Sequence, residues 1–196
     1  MSQAPLPLRA HRPTITLPSP PVTVDDLDGI ELEDPRVELL DGLCITRPWP
    51  TPLRARVTRR VGRLLTDAAT SGAQVFTHGV QVELSPRCLL VPDIVVAATG
   101  EENRRRITET PFLVVEIADA NTRRYDRTLK LDIYRERGVP SCWLIDPDTA
   151  TVEVFDLVDG AYQVAGVARG AELLSVSRPF PVDVVPADLT DPPDSD

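Results

Sequence analysis

The chain has 196 residues, 42% of them hydrophobic and 26% charged, with a formal charge of −9, the balance of a single water-soluble globular domain. No run approaches the ~18 consecutive apolar residues of a membrane helix, and the N-terminal stretch lacks the apolar centre of a secretion signal, so the cytoplasm is the expected location. Cys44, Cys88 and Cys142 are far apart in sequence and His11 and His78 are the two histidines, which excludes a disulfide framework or a His/Cys metal site and leaves oxygen as the ligand for any metal.

Residues 1–22 are rich in proline, show no periodicity and read as a disordered arm. Thr23 with Asp25 and Asp26 is expected to cap a short helix. Val37 to Leu40, Asp41-Gly42 and Leu43 to Ile45 have the form of a hairpin, because Asp-Gly suits a tight two-residue turn. After Thr51, Leu53, Val57, Val61, Leu64, Leu65 and Ala68 recur at helical spacing up to Gly72, with arginines largely on the other faces. This predicts an amphipathic helix lying on a sheet.

Residues 74–77 and 80–84 read as strands. Residues 89–97 are a strongly apolar run interrupted by Pro92-Asp93, and residues 112–117 form a second apolar, β-branched strand. Polar residues then lead into a helix over about 123–137, closed by Gly138. Residues 142–145 make another buried strand, and residues 151–157 and 161–167 pair across Asp159-Gly160. Strand signals fade after Pro181. The predicted organisation is therefore a folded domain over 23–185, preceded by the arm at 1–22 and followed by a mobile acidic tail at 186–196. The expected class is α/β: a mixed sheet flanked by helices, with antiparallel hairpins at its ends.

Two carboxylates interrupt the apolar strands, Asp93 in LLVPDIVVA and Glu116 in FLVVEIA. Burying an ionised carboxylate costs several kcal/mol unless an ion pair or a bound cation compensates it. Two such groups side by side repel, and a divalent cation relieves the repulsion while taking their oxygens as ligands. Pro92 cannot donate to a sheet ladder and marks a place where the strand opens, so Asp93 can turn toward a cleft. On the following helix Asp126, Lys130 and Tyr134 recur every four residues and share a face.

The order of VELLDG, the first long helix, VPDIVVA, LVVEIADANT, DRTLKLDIY, GVPSCWLIDP and TVEVFDLVDGAY resembles the Uma-type restriction endonuclease family of the PD-(D/E)XK nuclease superfamily, over roughly residues 25–185. The resemblance implies a restriction-endonuclease-like fold and a centre built from Asp93, Glu116 and Lys130. Asp93 matches the family's motif aspartate and Glu116 its second acid. The superfamily's usual lysine position is here Ala118, and Lys130 matches the place from which this family supplies it.

The same resemblance implies Mg²⁺ or Mn²⁺ on Asp93, Glu116 and the backbone carbonyl of Ile117, with Glu38 as an upstream acid that completes the metal shell. It implies phosphodiester hydrolysis of nucleic acid, DNA before RNA, by a homodimer. Arg54, Arg123 and Arg124 are the expected phosphate ligands. Two departures from the family pattern stand out. Thr51-Pro52-Leu53-Arg54 replaces a Ser-Pro-x-His stretch, and Asp119-Ala120-Asn121-Thr122 replaces Ser-Pro-Ser-Thr.

Two other readings stay open at this point. One is a catalytically silent nuclease-fold module for binding or regulation, favoured by the net charge and these departures. The other is a structural Asp93–Lys130 ion pair with Glu116 at a solvated strand end.

Overall fold

A computed structural model describes residues 20–28, 37–77, 79–100, 104–118 and 126–190. The elements in chain order are α1 (Val24–Asp28), β1 (Val37–Leu40), β2 (Leu43–Thr46), α2 (Pro52–Ala68), β3 (Ala73–Thr77), β4 (Val82–Ser85), β5 (Cys88–Leu90), β6 (Ile94–Ala98) and β7 (Leu113–Ile117). A π-helical turn over Asp126–Lys130 runs directly into α3 (Leu131–Glu136). β8 (Ser141–Asp146), β9 (Thr151–Val158), β10 (Ala161–Arg169), β11 (Leu174–Val176), β12 (Val182–Val184) and α4 (Pro186–Thr190) follow.

A six-stranded mixed sheet in the order β10-β9-β8-β7-β6-β3 carries the fold. β7 and β8 run parallel, joined through α3, and the other neighbours are antiparallel. The N-terminal hairpin does not extend this sheet. It builds a second, four-stranded sheet in the order β2-β1-β5-β4. The apolar run at 89–97 thus serves two sheets. β5 pairs with β1, the chain breaks over Val91, Pro92 and Asp93, and β6 then pairs with β7 and β3. Pro92 lacks the N–H that a continuous ladder would need, so the break falls there.

Side-chain alternation sorts the core into two layers. Leu113, Val115 and Ile117 of β7, with Ile94 and Val96 of β6, pack under Val57, Val61 and Leu65 of α2. Val114, in between, faces Tyr134, Val139, Cys142 and Leu90 on the opposite side. A two-residue period therefore sends Glu116 to the side of Tyr134, away from α2. α2 lies close on the sheet because Gly62 has no Cβ; one added there would stand 2.7 Å from Thr77 Cγ2.

Local signals explain the ends of these elements. Thr51 caps α2 by accepting from the Arg54 N–H at 3.2 Å, with Pro52 in its first turn. Asp26 and Thr23 exchange hydrogen bonds at the start of α1. Both predicted tight turns have two residues at positive φ, Asp41-Gly42 and Asp159-Gly160, as the hairpin geometry demands. Cys88 and Cys142 are buried free thiols, and burial pushes the Cys88 thiol up to about 11, consistent with a small inert core residue.

The described chain departs from the predicted boundaries at both ends. Val22, assigned to the arm, is buried beside Leu27 and Leu39 and donates its N–H to Gly42 O at 2.9 Å. β12 and α4 continue the fold to Thr190, and Leu189 of α4 joins the core under α2. A five-residue helix with a single buried leucine leaves too faint a periodicity to be read among prolines and aspartates. The remaining parts of the arm and tail, 1–19 and 191–196, lie outside the described residues. Among the described residues no helix is long and apolar enough to cross a membrane.

Candidate active site

The site forms where the two sheets part. Glu38 on β1 lies beside the break, and its Oε1 accepts from the Val91 N–H at 3.0 Å. Arg47, just past β2, donates from Nη1 to Val91 O at 2.6 Å. Both backbone groups of Val91, left without a ladder by the break, are thus satisfied by charged side chains. Asp93 follows, and its Oδ2 accepts from the Ile117 N–H at 2.7 Å. That bond fixes the aspartate against the end of β7, one residue from Glu116.

Lys130 and Tyr134, one turn apart, both reach Glu116. Lys130 Nζ lies 2.9 Å from Glu116 Oε1 and 2.6 Å from Glu38 Oε1, and the Tyr134 hydroxyl donates to Glu116 Oε1 at 2.6 Å. Lys130, Glu38 and Tyr134 are 0% exposed and Glu116 is 1% exposed. Burial by itself would push the Glu116 carboxyl up, but Lys130, Arg47 and the Tyr134 hydroxyl outweigh it and hold the group below its usual value. Tyr134 is shifted far upward by burial and by the adjacent Glu116 and Glu38, so its proton stays on.

Arg54 has a different place from the one expected. It sits on the sheet-facing side of α2 with Val57, Thr58 and Val61, and its guanidinium grips Asp93 with two hydrogen bonds, Nε to Oδ1 at 2.9 Å and Nη2 to Oδ2 at 2.7 Å. Burial disfavours the Arg54 charge, yet Asp93 reverses this and raises its pKa. Arg54 is thus a fork on an acid, on the wall of the cleft beside Asp93.

The structural Asp93–Lys130 pair is not the arrangement found: Asp93 pairs with Arg54, Lys130 pairs with Glu38 and Glu116, and Glu116 is buried rather than solvated. Arg123, Arg124 and Asp119 lie outside the described residues.

Arg47 carried no signal in the sequence. Its Nη2 stands 3.5 Å from Glu116 Oε2 and 3.9 Å from Asp93 Oδ2, while Nη1 is 3.8 Å from Glu38 Oε1. Among the described residues three carboxylates (Glu38, Asp93, Glu116) therefore meet three cationic side chains (Arg47, Arg54, Lys130). Only the tertiary fold brings Arg47 here, because it lies 46 positions before Asp93.

The donor set can be tested against a divalent cation. Two carboxylates, Asp93 just before β6 and Glu116 on β7, supply the hard oxygen ligands that Mg²⁺ and Mn²⁺ prefer. Glu116 Oε2 is buried and accepts no hydrogen bond among the described residues, although Arg47 Nη2 stands 3.5 Å from it. As it stands, no group of three His, Cys, Asp or Glu side chains among the described residues is gathered about one point. The chemistry of the donors suits a divalent cation, and in this arrangement the guanidinium of Arg47 faces both carboxylates.

Two clefts reach this cluster. One of about 260 Å³ is lined by Arg47, Trp49, Arg54, Pro92 and Asp93, and the other of about 280 Å³ by Glu116, Ala118, Arg127, Asp146 and Glu153. Trp49 is 72% exposed at the rim of the first.

A mixed sheet flanked by helices, with antiparallel hairpins at its end, is a restriction-endonuclease-like architecture. The family model described as "Putative restriction endonuclease" (Uma2) matches residues 23–190, and the chain belongs to that family. Among solved structures it is similar to "a putative nuclease belonging to DUF820 from Anabaena variabilis", with a TM-score of 0.69 and 20% identity over 87% of this chain and 98% of that one. Comparison with curated proteins returns no match.

Proposed function

We propose that this protein is a metal-dependent endonuclease that hydrolyses phosphodiester bonds in nucleic acid, DNA in the first place. The observation that carries the reading is the carboxylate pair at the sheet junction: Glu116 is buried and Oε2 accepts no hydrogen bond among the described residues, and the partly exposed Asp93 is pinned one residue away by the Ile117 N–H. Asp93, Glu116 and the Ile117 carbonyl would hold Mg²⁺ or Mn²⁺, with Glu38 behind them as the upstream acid. Bound there, the ion supplies a water of lowered pKa and charge stabilisation for the phosphorane.

The protein's own groups do the positioning. Lys130 and Tyr134 engage Glu116 through Oε1, so that the carboxylate would be held in place to take the ion. Arg54 and the Ile117 N–H fix the rotamer of Asp93. Lys130 carries the positive charge next to the reacting oxygen and helps hold the Glu116 carboxyl below its usual value. The attacking water oxygen would bond to phosphorus as the bond to the leaving sugar oxygen breaks, the water giving up a proton and the sugar oxygen taking one from solvent, and Arg123 and Arg124 would be phosphate ligands. Cutting both strands of a duplex calls for two such centres, hence two chains.

The test is cleavage of plasmid, linear duplex, single-stranded DNA and RNA with Mg²⁺ or Mn²⁺, beside folded Asp93→Ala, Glu116→Ala and Lys130→Ala variants. Cleavage that chelation stops and each substitution abolishes is expected. Metal-dependent cleavage surviving in all three would sink the mechanism.

One observation favours the second reading, a silent binding module: among the described residues the cations Arg47, Arg54 and Lys130 already stand against Glu38, Asp93 and Glu116. Calorimetric titration with Mn²⁺ separates the two. Stoichiometric binding that Asp93→Ala abolishes belongs to the enzyme, and the absence of binding to the module.

A further inference from the structure

We infer that the cleft lined by Trp49 and Asp93 takes one unstacked nucleobase, which lies against the Trp49 indole while the phosphate joined to it reaches the proposed metal site. The inference rests on the nuclease reading and names the form of the substrate: a strand that is single, or locally opened at the cut.

Three features of the cleft support this. The first is exposure: Trp49 is 72% exposed at the rim, whereas Trp143 is fully buried in the core. Burying an indole is among the largest apolar gains a side chain offers, and at Trp49 much of it is still to be made. The second is company. A cleft of about 260 Å³ joins Trp49 to Pro48, Pro50 and Pro92, and Arg54 and Asp93 line the same space. Such a lining suits a small group that is planar, apolar on its faces and tied to something that binds at Asp93. A nucleobase has those properties. Asp93 is both a wall of the cleft and a ligand in the proposed metal site, so a phosphate drawn to the ion brings the adjoining base to the cleft.

The third is stiffness. Trp49 lies in the run Arg47-Pro48-Trp49-Pro50-Thr51-Pro52, which connects β2, ending at Thr46, to α2, beginning at Pro52. Each proline fixes its own φ and holds the residue before it to extended backbone, as Thr51 shows with φ −68° and ψ 158°. The run is also tied down through Arg47, whose Nη1 donates to Val91 O at 2.6 Å. The indole therefore stands on backbone with little freedom left to lose when a base stacks on it. Stacking reads the face of a base, which every base has, so the site is tolerant of sequence. Within a duplex both faces are covered by neighbouring bases, and a base must leave the stack before it can enter.

The experiment measures binding by fluorescence anisotropy in Mn²⁺ for the wild type, Trp49→Ala and Trp49→Phe. The probes are a dye-labelled single-stranded oligothymidylate, an abasic strand of the same length and a duplex of the same length, all phosphorothioate-linked so that they stay uncut. Trp49→Ala is expected to weaken binding of the oligothymidylate about tenfold, and Trp49→Phe, which keeps an aromatic face, much less. The abasic strand is expected to bind the wild type about tenfold more weakly than the oligothymidylate and to bind Trp49→Ala no more weakly than the wild type. The duplex binds the wild type more weakly than the single strand does. Unlabelled oligothymidylate also quenches the exposed tryptophan of the wild type, a signal that the buried Trp143 does not give. The abasic comparison uses the wild type alone, so it stands even if the alanine variant fails to fold.

Equal binding of the oligothymidylate and the abasic strand by the wild type, or of the oligothymidylate by wild type and Trp49→Ala, overturns the inference; cleavage of ordinary DNA alongside that result leaves the nuclease reading standing. The expected pattern without any cleavage by the wild type upholds the base site and rejects the nuclease reading. A strand that leaves the tryptophan emission unchanged points to a protein occupant and overturns the base site.

Discussion

Lys130→Met tests whether the site is held together by its buried charges. Lys130 is fully buried, with Nζ 2.6 Å from Glu38 and 2.9 Å from Glu116. Methionine keeps much of the volume and removes the charge. Two buried carboxylates then remain with Arg47, at 3.8 and 3.5 Å, as their shared counter-ion. Removing one partner from a buried pair costs about 3–5 kcal/mol, a large share of the ~5–15 kcal/mol that holds a domain folded.

Urea denaturation at neutral pH, followed by the fluorescence of Trp143, reads this directly, since Trp143 is fully buried. The double variant Lys130→Met/Glu116→Gln restores the charge balance and should recover about 2 kcal/mol of the loss, within the range seen for coupled neighbours. A single variant within about 1 kcal/mol of wild type, or a double variant as unstable as the two singles added, would refute the claim that these charges are mutually dependent.

Three further outcomes are expected. Arg54→Ala strips Asp93 of its two-bonded partner and should cost about 2–3 kcal/mol in the same assay, with Arg54→Lys recovering only part because an ammonium lacks the fork; full recovery by lysine would show that charge alone matters. Tyr134→Phe removes one donor to Glu116 Oε1 and should cost about 1.5–3 kcal/mol, as for a hydrogen bond to a charged group; an unchanged urea midpoint would contradict it. Glu116 is held below its usual 4.5, so its contribution is present above that value and is lost as pH falls through the lower folded value. The melting temperature of the wild type should therefore drop more steeply on acidification below about 4.5 than that of Glu116→Gln, and parallel profiles would exclude the shift.

The sequence by itself determined the elements that local physics governs. The Asp-Gly turns, the Thr51 cap, Gly138 after α3 and the two-residue alternation of β7 each follow from a residue and its immediate neighbours. The alternation also singled out Glu116, because an acid in a buried strand demands compensation wherever the strand lies. The spacing of Lys130 and Tyr134 placed both on one helix face. The Pro92 break marked Asp93, although the break proved to be a passage between two sheets rather than an opening in one.

Only the tertiary structure decided how the charges pair. Arg54 reads in the sequence as a phosphate ligand, and its grip on Asp93 shows only once α2 is laid against the sheet with that side inward. Arg47 follows a hairpin and precedes a proline, and nothing local distinguishes it from a surface residue. It becomes part of the site because the N-terminal hairpin folds over the sheet junction and leaves Val91 without ladder partners. A buried charge announces that it needs a counterpart, but which counterpart arrives depends on contacts between segments far apart in the chain, and those are fixed by packing.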